Sequence, residues 1–435
     1  MNTKPALSPV AIRQHFFFII CLWLLLAFPV NALDSEKKLQ ISGFLSFGGG
    51  LSDANAFPGG DDLNDSEDTA NPDEETPKYT AGSGRSIFDD TLSFNQDTRA
   101  GLQFNFIVDE KTSAILQFTS RGSVNNYEPA LSWANMSYSI TPDLTVRGGR
   151  FYLPIYLASD YLDVGLALPW IRPPMEVYST INLSNITGVD LLYAVQVGDW
   201  VWRTQPFLGV AELERGDFTA EFQNIYGFNS SLNGESLALR VAYMSYEYFV
   251  QPWPLGDKHE LLIQQLLAVG MGPLEEYMDP NGKVAQFLSL GFVWQVQNGG
   301  LQAEWVRRNG ADFYPDIDGY YMTFHYQYKN WQPHVTFAVR KERYENKRFH
   351  PDMVKLEAIS PELAAFTKVS VHSSIGIEDN ESKSVTLGLN YTISDSMVGK
   401  LEFSEIRNIE STGLFEFATE NDTNHIVSFV LDLAF

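Results

Sequence analysis

The chain closes on Asn424–Phe435, NHIVSFVLDLAF. In an extended strand Val427, Phe429, Leu431, Leu433 and Phe435 share one face, and Ile426, Ser428, Val430, Asp432 and Ala434 share the other. The first face is apolar without a break and the second is mixed, a pattern of period two. A soluble edge strand can read this way. So can the last strand of a barrel that crosses a membrane, with lipid against the apolar face. The choice between them rests on the remainder of the chain.

The opposite end reads MNTKPALSPVAIRQHFFFIICLWLLLAFPVNA over residues 1–32. Lys4 and Arg13 are its only charges, an apolar run follows from Phe16 to Phe28, and Val30-Asn31-Ala32 offers small residues at a cleavage position. This predicts a secretory signal peptide over 1–32, cut after Ala32, with an apolar run too short for a spanning helix. The single cysteine, Cys21, lies inside that run behind Ile20, which is no lipoprotein signature. The exported chain, residues 33–435, then has no thiol chemistry and no disulfide framework. It also has no further long apolar run, which leaves a soluble protein or a β-barrel.

The formal net charge is −24, with 54 acidic residues against 30 basic ones. That balance excludes nucleic acid as a natural partner. Much of the excess is local, since residues 52–77 (SDANAFPGGDDLNDSEDTANPDEETP) hold nine acids and no base. DDLNDSED, from Asp61, lacks the central Gly and closing Glu of a calcium loop, so this stretch reads as a solvated loop.

Alternating segments of barrel-strand length recur along the chain. TRAGLQFNFIV sets Ala100, Leu102, Phe104 and Phe106 against Arg99, Gly101, Gln103 and Asn105. GYYMTFHYQYK sets Tyr320, Met322, Phe324, Tyr326 and Tyr328 against Thr323, His325 and Gln327. SVTLGLNYTIS sets Val385, Leu387, Leu389, Tyr391 and Ile393 against Thr386, Gly388, Asn390 and Thr392. Hairpin compositions stand at Asp109, Thr141, Gly198, Asn233, Asn298, Lys329 and Ser394. Longer connections start near Leu51, Arg121, Pro154, Arg215, Val250, Asn309, Tyr344 and Asn408. Seven tight turns alternating with eight longer loops predict sixteen strands, with both termini on the tight-turn side. The predicted fold class is all-β: a transmembrane antiparallel β-barrel of 16 strands.

With signal peptide, sixteen strands, a long third loop and a terminal Phe, the chain resembles the sixteen-stranded porins of Gram-negative outer membranes across its exported length. The face made by Val427, Phe429, Leu431, Leu433 and Phe435 is similar to the signal that the barrel-assembly machinery reads in that family. The resemblance implies an outer-membrane location, contact with lipid and lipopolysaccharide, a homotrimer, and a third loop folded into the lumen.

That third loop, PIYLASDYLDVGLALPWIRPPMEVYSTINLSNIT from Pro154, is apolar and holds four prolines, as a loop packed inside a barrel would. Its charges are Asp160, Asp163, Arg172 and Glu176. TVRGGRF precedes it, and a bulge at Gly148–Gly149 would turn both Arg147 and Arg150 inward. Parity also places Asp97, Arg99, Trp133, Asp190, Arg203, Glu221, Arg240, Glu304, His325, Arg340 and Asp432 inward. The pore-constriction set is therefore Arg99, Arg147, Arg150, Asp160, Asp163, Arg172, Glu176, Arg240 and Arg340. Opposed charges across a narrow opening set up a transverse field that selects ions and orients solutes. An arginine track would lean toward anions, while arginines paired with neighbouring acids would only brace the wall.

The fifth loop contains DKHELLIQQLLAVGMGP, where Leu262, Leu266 and Val269 recur at helical spacing and predict a short helix at the barrel mouth or an interface. RGD at Arg215–Asp217 is a three-residue coincidence. The histidines show no metal spacing, and no G-x-S-x-G or comparable catalytic set occurs. The expected function is passive diffusion of small hydrophilic solutes and ions, without cofactor and without catalysis. A substrate-specific channel for an organic acid or oligosaccharide, and a non-conducting adhesion barrel, remain as alternatives.

Overall fold

A computed structural model describes residues 38–53, 88, 91–122, 127–181, 183–215, 218–251, 257–272, 281–310, 315–343, 352–367, 380–410 and 423–435. The expected signal peptide, the acidic stretch after Asp53 and Asp217 of the RGD triplet lie outside the described residues.

The described strands are β1 (Leu39–Ser52), β2 (Arg99–Ile107), β3 (Thr112–Arg121), β4 (Ala130–Thr141), β5 (Leu144–Tyr152), β6 (Asn185–Val197), β7 (Trp200–Arg215) and β8 (Phe218–Asn233). They continue with β9 (Leu237–Gln251), β10 (Lys283–Val296), β11 (Gly299–Asn309), β12 (Asp316–Tyr326), β13 (Trp331–Arg343), β14 (Asn380–Ser394), β15 (Met397–Glu410) and β16 (Thr423–Ala434). Each pairs antiparallel with its sequence neighbours, and β1 pairs with β16, so the sheet is a closed barrel. Closure removes both sheet edges, which a membrane requires because hydrocarbon cannot satisfy an open ladder. The seam runs to the last residue: Gly43 and Phe435 exchange backbone hydrogen bonds at 2.9 and 3.0 Å.

Period-two patterning sets the two faces. In β16, Val427 and Phe429 are exposed, while Ile426, Ser428, Val430 and Asp432 are buried. In β12, Tyr320, Met322, Phe324 and Tyr326 are exposed, and in β14 Val385, Leu387, Leu389, Tyr391 and Ile393 are. The outer row of the ring is thus an apolar band. Near the tight-turn end it carries Trp202, Trp294, Tyr326, Trp331 and Tyr391, the position of an interfacial aromatic girdle. The Trp331 and Tyr391 rings stand 4.5 Å apart. Among the described residues no helix is long and apolar enough to cross a membrane.

The seven tight turns fall between the strands where the sequence places them. One loop does not. Only residues 216 and 217 separate β7 from β8, so the fourth long connection is a two-residue link between two 16-residue strands. Glu221 also departs from expectation. A register shift between Gln223 and Tyr226, with Asn224 at φ +49°, changes the face, and Ala220 and Phe222 are the buried neighbours.

Among the described residues three connections carry α-helices. Helix α2 (Asp257–Ala268) lies between β9 and β10, and α3 (Asp352–Ile359) between β13 and β14. Helix α1 (Met175–Tyr178) lies in the connection between β5 and β6. Leu262 and Leu266 of α2 are fully buried against Met353 and Leu356 of α3 and against Ala364, with Val269 packed on the cluster. The helical spacing in the fifth loop therefore makes a small core with the seventh.

Candidate functional site: the segment between β5 and β6

Residues 153–184 join β5 to β6, and their contacts run to the inner rows of most of the ring. Arg240 of β9 donates to the Pro154 carbonyl (2.9 Å), and Leu157 N–H donates to Glu304 Oε1 of β11 (2.9 Å). Trp170 Nε1–H lies 2.9 Å from Thr323 Oγ1 of β12 and 3.0 Å from Thr336 Oγ1 of β13. Asn390 of β14 donates to the Pro169 carbonyl (2.8 Å), and Ile171 N–H donates to Glu402 Oε1 of β15 (2.8 Å). Arg172 donates to both carboxylate oxygens of Asp97 and to Ser428 Oγ of β16, each at 2.6 Å. On the return, Arg340 of β13 donates to Ser179 Oγ (2.8 Å) and Arg308 of β11 to the Thr180 carbonyl (3.0 Å).

The densest anchor is Lys400 of β15. Its ammonium donates to the carbonyls of Gly165, Leu168 and Trp170 at 2.7, 2.8 and 2.9 Å and stands 3.0 Å from Asp432 Oδ2. The side chains of Lys400 and Asp432 are 0% and 1% exposed. A charge so deeply buried is tolerated only with a full set of partners, which these groups supply. Asp163 is the second anchor, receiving hydrogen bonds from Arg121 of β3 and Tyr152 of β5. Burial alone would raise its carboxyl, but the Arg121 charge and the two donors hold it below the ordinary value.

Apolar side chains fix the rest. Phe151, Ile155, Tyr156, Trp170 and Val177 pack with Phe207, Phe287, Val306 and Tyr321 in one buried cluster. The Trp170 and Tyr321 rings meet edge to face at 5.2 Å. Gly319 of β12 is required here, since a Cβ at that position would stand 2.4 Å from the Glu176 carbonyl oxygen.

The sequence-predicted charges separate into groups. The segment gathers Asp163, Arg172, Glu176, Arg240 and Arg340. Asp160 is exposed on a 3-10 turn, Ser159–Tyr161. Arg99 pairs across strands with Arg121 on β2 and β3. Arg147 is buried, its Nε 3.1 Å from Asp190 Oδ1, with the Trp133 and Phe151 rings at 5.1 and 4.6 Å from its guanidinium. Arg150 does not join it. The β4–β5 register runs through Gly148–Gly149 without a shift, and Arg150, half-buried, donates to the Leu131 carbonyl (2.9 Å). The expected bulge is absent because Gly149 absorbs the distortion in its own backbone, at φ +126°. Lys400, Glu402 and Arg121 were missed. Outward Leu401 and Phe403 would have placed Lys400 and Glu402 inward by parity.

Glu176 is buried and its Oε1 has no hydrogen-bond partner. Burial pushes its carboxyl up, partly offset by Ser384 and the Arg340 charge. It lines a cavity of about 50 Å³ between the segment and β13–β16. Among the described residues no group of three or more His, Cys, Asp or Glu is placed to hold a metal.

A closed meander of sixteen antiparallel strands is a fold that the chain shares with solved outer-membrane proteins. The outer-membrane channel DcaP of Acinetobacter baumannii matches at a TM-score of 0.54 and 11% identity, over 93% of this chain and 100% of that one. OmpF of Salmonella typhi, solved in complex with daunomycin, matches at 0.52 and 11%, over 91% and 97%. A loop L8 deletion mutant of OmpT, an outer membrane protein of Vibrio cholerae, matches at 0.50 and 7%, over 92% and 100%. No protein-family profile and no curated protein sequence matches the chain. At these identities the likeness is one of fold.

Proposed function

We propose that the protein is an outer-membrane channel of a Gram-negative bacterium, passing small hydrophilic solutes and ions by diffusion through a barrel narrowed by residues 153–184. One observation carries this reading: a single connection hydrogen-bonds side chains of β9 and of β11 to β16 in a closed ring. Those partners support a segment that crosses the barrel interior and, in this reading, sets the width and charge of the passage. The apolar outer band supports a lipid setting, and the similar structures include a protein described as an outer-membrane channel.

Export by the 1–32 signal, folding through the face ending in Phe435, contact with lipopolysaccharide and a homotrimeric state belong to the same proposal. The reading assigns no catalysis, because diffusion needs only a gradient. Its selectivity rests on the charges of the segment and the wall, namely Asp160, Asp163, Arg172, Glu176, Arg99, Arg240 and Arg340. Single-channel recording of the refolded protein in a planar bilayer tests it, with stepwise openings in threes expected. Folded, heat-modifiable protein that conducts nothing would overturn it. A second reading, a closed barrel binding partners at its loops, would then take precedence, favoured by Leu261, Leu267, Val354 and Ile359 exposed around the α2–α3 core.

A further inference from the structure

We propose that the cavity between residues 170–176 and the inner rows of β13–β16 is a solute subsite for small organic ammonium ions. This rests on the channel reading and names a solute class for it. The barrel interior is lopsided. Toward β9–β12 it is filled by the segment's apolar packing, whereas β14 and β15 present Ser384, Thr386, Glu402 and Ser404 to the cavity. The polar part of the segment's surroundings is therefore the β13–β16 side, where the cavity lies.

The charges around that space do not cancel. Glu176 enters from the segment and Glu402 from the wall. Arg172 also lines it, but its guanidinium is committed to Asp97 and Ser428. Arg340 is committed to Glu342 and Ser179. His334 stands 3.5 Å from Glu402 Oε1. Glu176 Oε1 is left as a buried acceptor with no donor, a state that costs free energy until a donor arrives. The hydroxyls add acceptors, and Trp170, Pro173 and Ile406 supply an apolar wall. An ammonium carrying a short alkyl chain matches this set: three N–H donors and one positive charge, with carbon against the apolar side. The same segment and wall already hold one ammonium, that of Lys400, by three carbonyls and a carboxylate. Arg172 and Arg340, the arginines beside the cavity, are each paired with an acid, Asp97 and Glu342, which points the same way.

Ethylammonium is the probe, and Glu176→Gln with Glu402→Gln the variant. Three results are expected: a cation-preferring zero-current potential in a KCl gradient, saturable block of potassium current by ethylammonium, and block weakened about tenfold in the double variant. Saturation-transfer NMR on the folded, detergent-held barrel gives a readout independent of conductance, with transfer to ethylammonium lost in the variant. If the double variant does not fold, Glu176→Gln alone serves, since that residue lies off the wall. An anion-preferring wild type, or block and saturation transfer unchanged in the variant, overturns the subsite. A folded barrel that conducts nothing sinks the channel reading alone, and the NMR result still decides whether the cavity binds the ion.

Discussion

Lys400 and Asp163 hold residues 153–184 by different means, and each has its own test. Lys400 bonds three carbonyls and sits against buried Asp432. Replacing it by Met removes all of these partners and strands a buried carboxylate, so Lys400→Met should cost about 3–5 kcal/mol in urea unfolding from lipid vesicles. Asp163 responds to acid. Its carboxyl is lower folded than unfolded, so its contribution is fully present above the unfolded value of about 3.9 and fades as pH falls through the folded one. Stability and conductance should therefore hold from pH 7 to pH 5 as far as this anchor governs them. The acid-induced loss below about pH 3.9 should be smaller in Asp163→Asn than in the wild type. Neither anchor stood out from the sequence by chemistry. Lys400 lies in a strand where parity alone could find it. Asp163 was visible as a loop charge, but its partner Arg121 is distant in the chain and reached only by the fold.

The strands were the most legible elements, because an alternating face needs no tertiary knowledge. The outward rows of β12, β14 and β16 fall as their patterns predict. Where alternation breaks, the reading breaks with it. The shift at Gln223–Tyr226 moves Glu221 off the inner face, and Gly149 takes up a distortion that composition suggested as a bulge. The fourth connection looked long because β8 already starts at Phe218, with polar residues that mimic a loop. Two strand-level predictions follow from the faces. Leu387 lies mid-strand on the outer row of β14, 55% exposed. Leu387→Arg should destabilise the barrel by about 2–4 kcal/mol in lipid, the cost of a cation near the bilayer midplane. In β5, Gly149→Ala would place a Cβ 2.3 Å from the Ala134 carbonyl oxygen in a left-handed backbone, and should lower folding yield measured by heat-modifiable mobility.

At the scale of the molecule, closure of the ring and occupation of its interior are separate matters. The ladder from β1 to β16 is complete without residues 153–184, since every strand has two strand partners. The segment instead packs apolar side chains against one set of strands and hydrogen-bonds another. Prolines and apolar character mark the segment in the sequence, but not which strands it contacts, because its partners lie on β3 and on strands from β9 to β16. If the barrel holds its own shape, replacing residues 157–180 with a short Gly/Ser linker should leave a folded, heat-modifiable barrel. Its single-channel conductance should rise at least about twofold, because the narrowest part of the path is gone. Ion preference should fall together with ethylammonium block, since Glu176 leaves with the segment while Glu402 remains on a wide, hydrated wall. Unchanged conductance in that folded variant would mean that the passage is limited elsewhere, with the α2–α3 core at the loop end as the next element to remove.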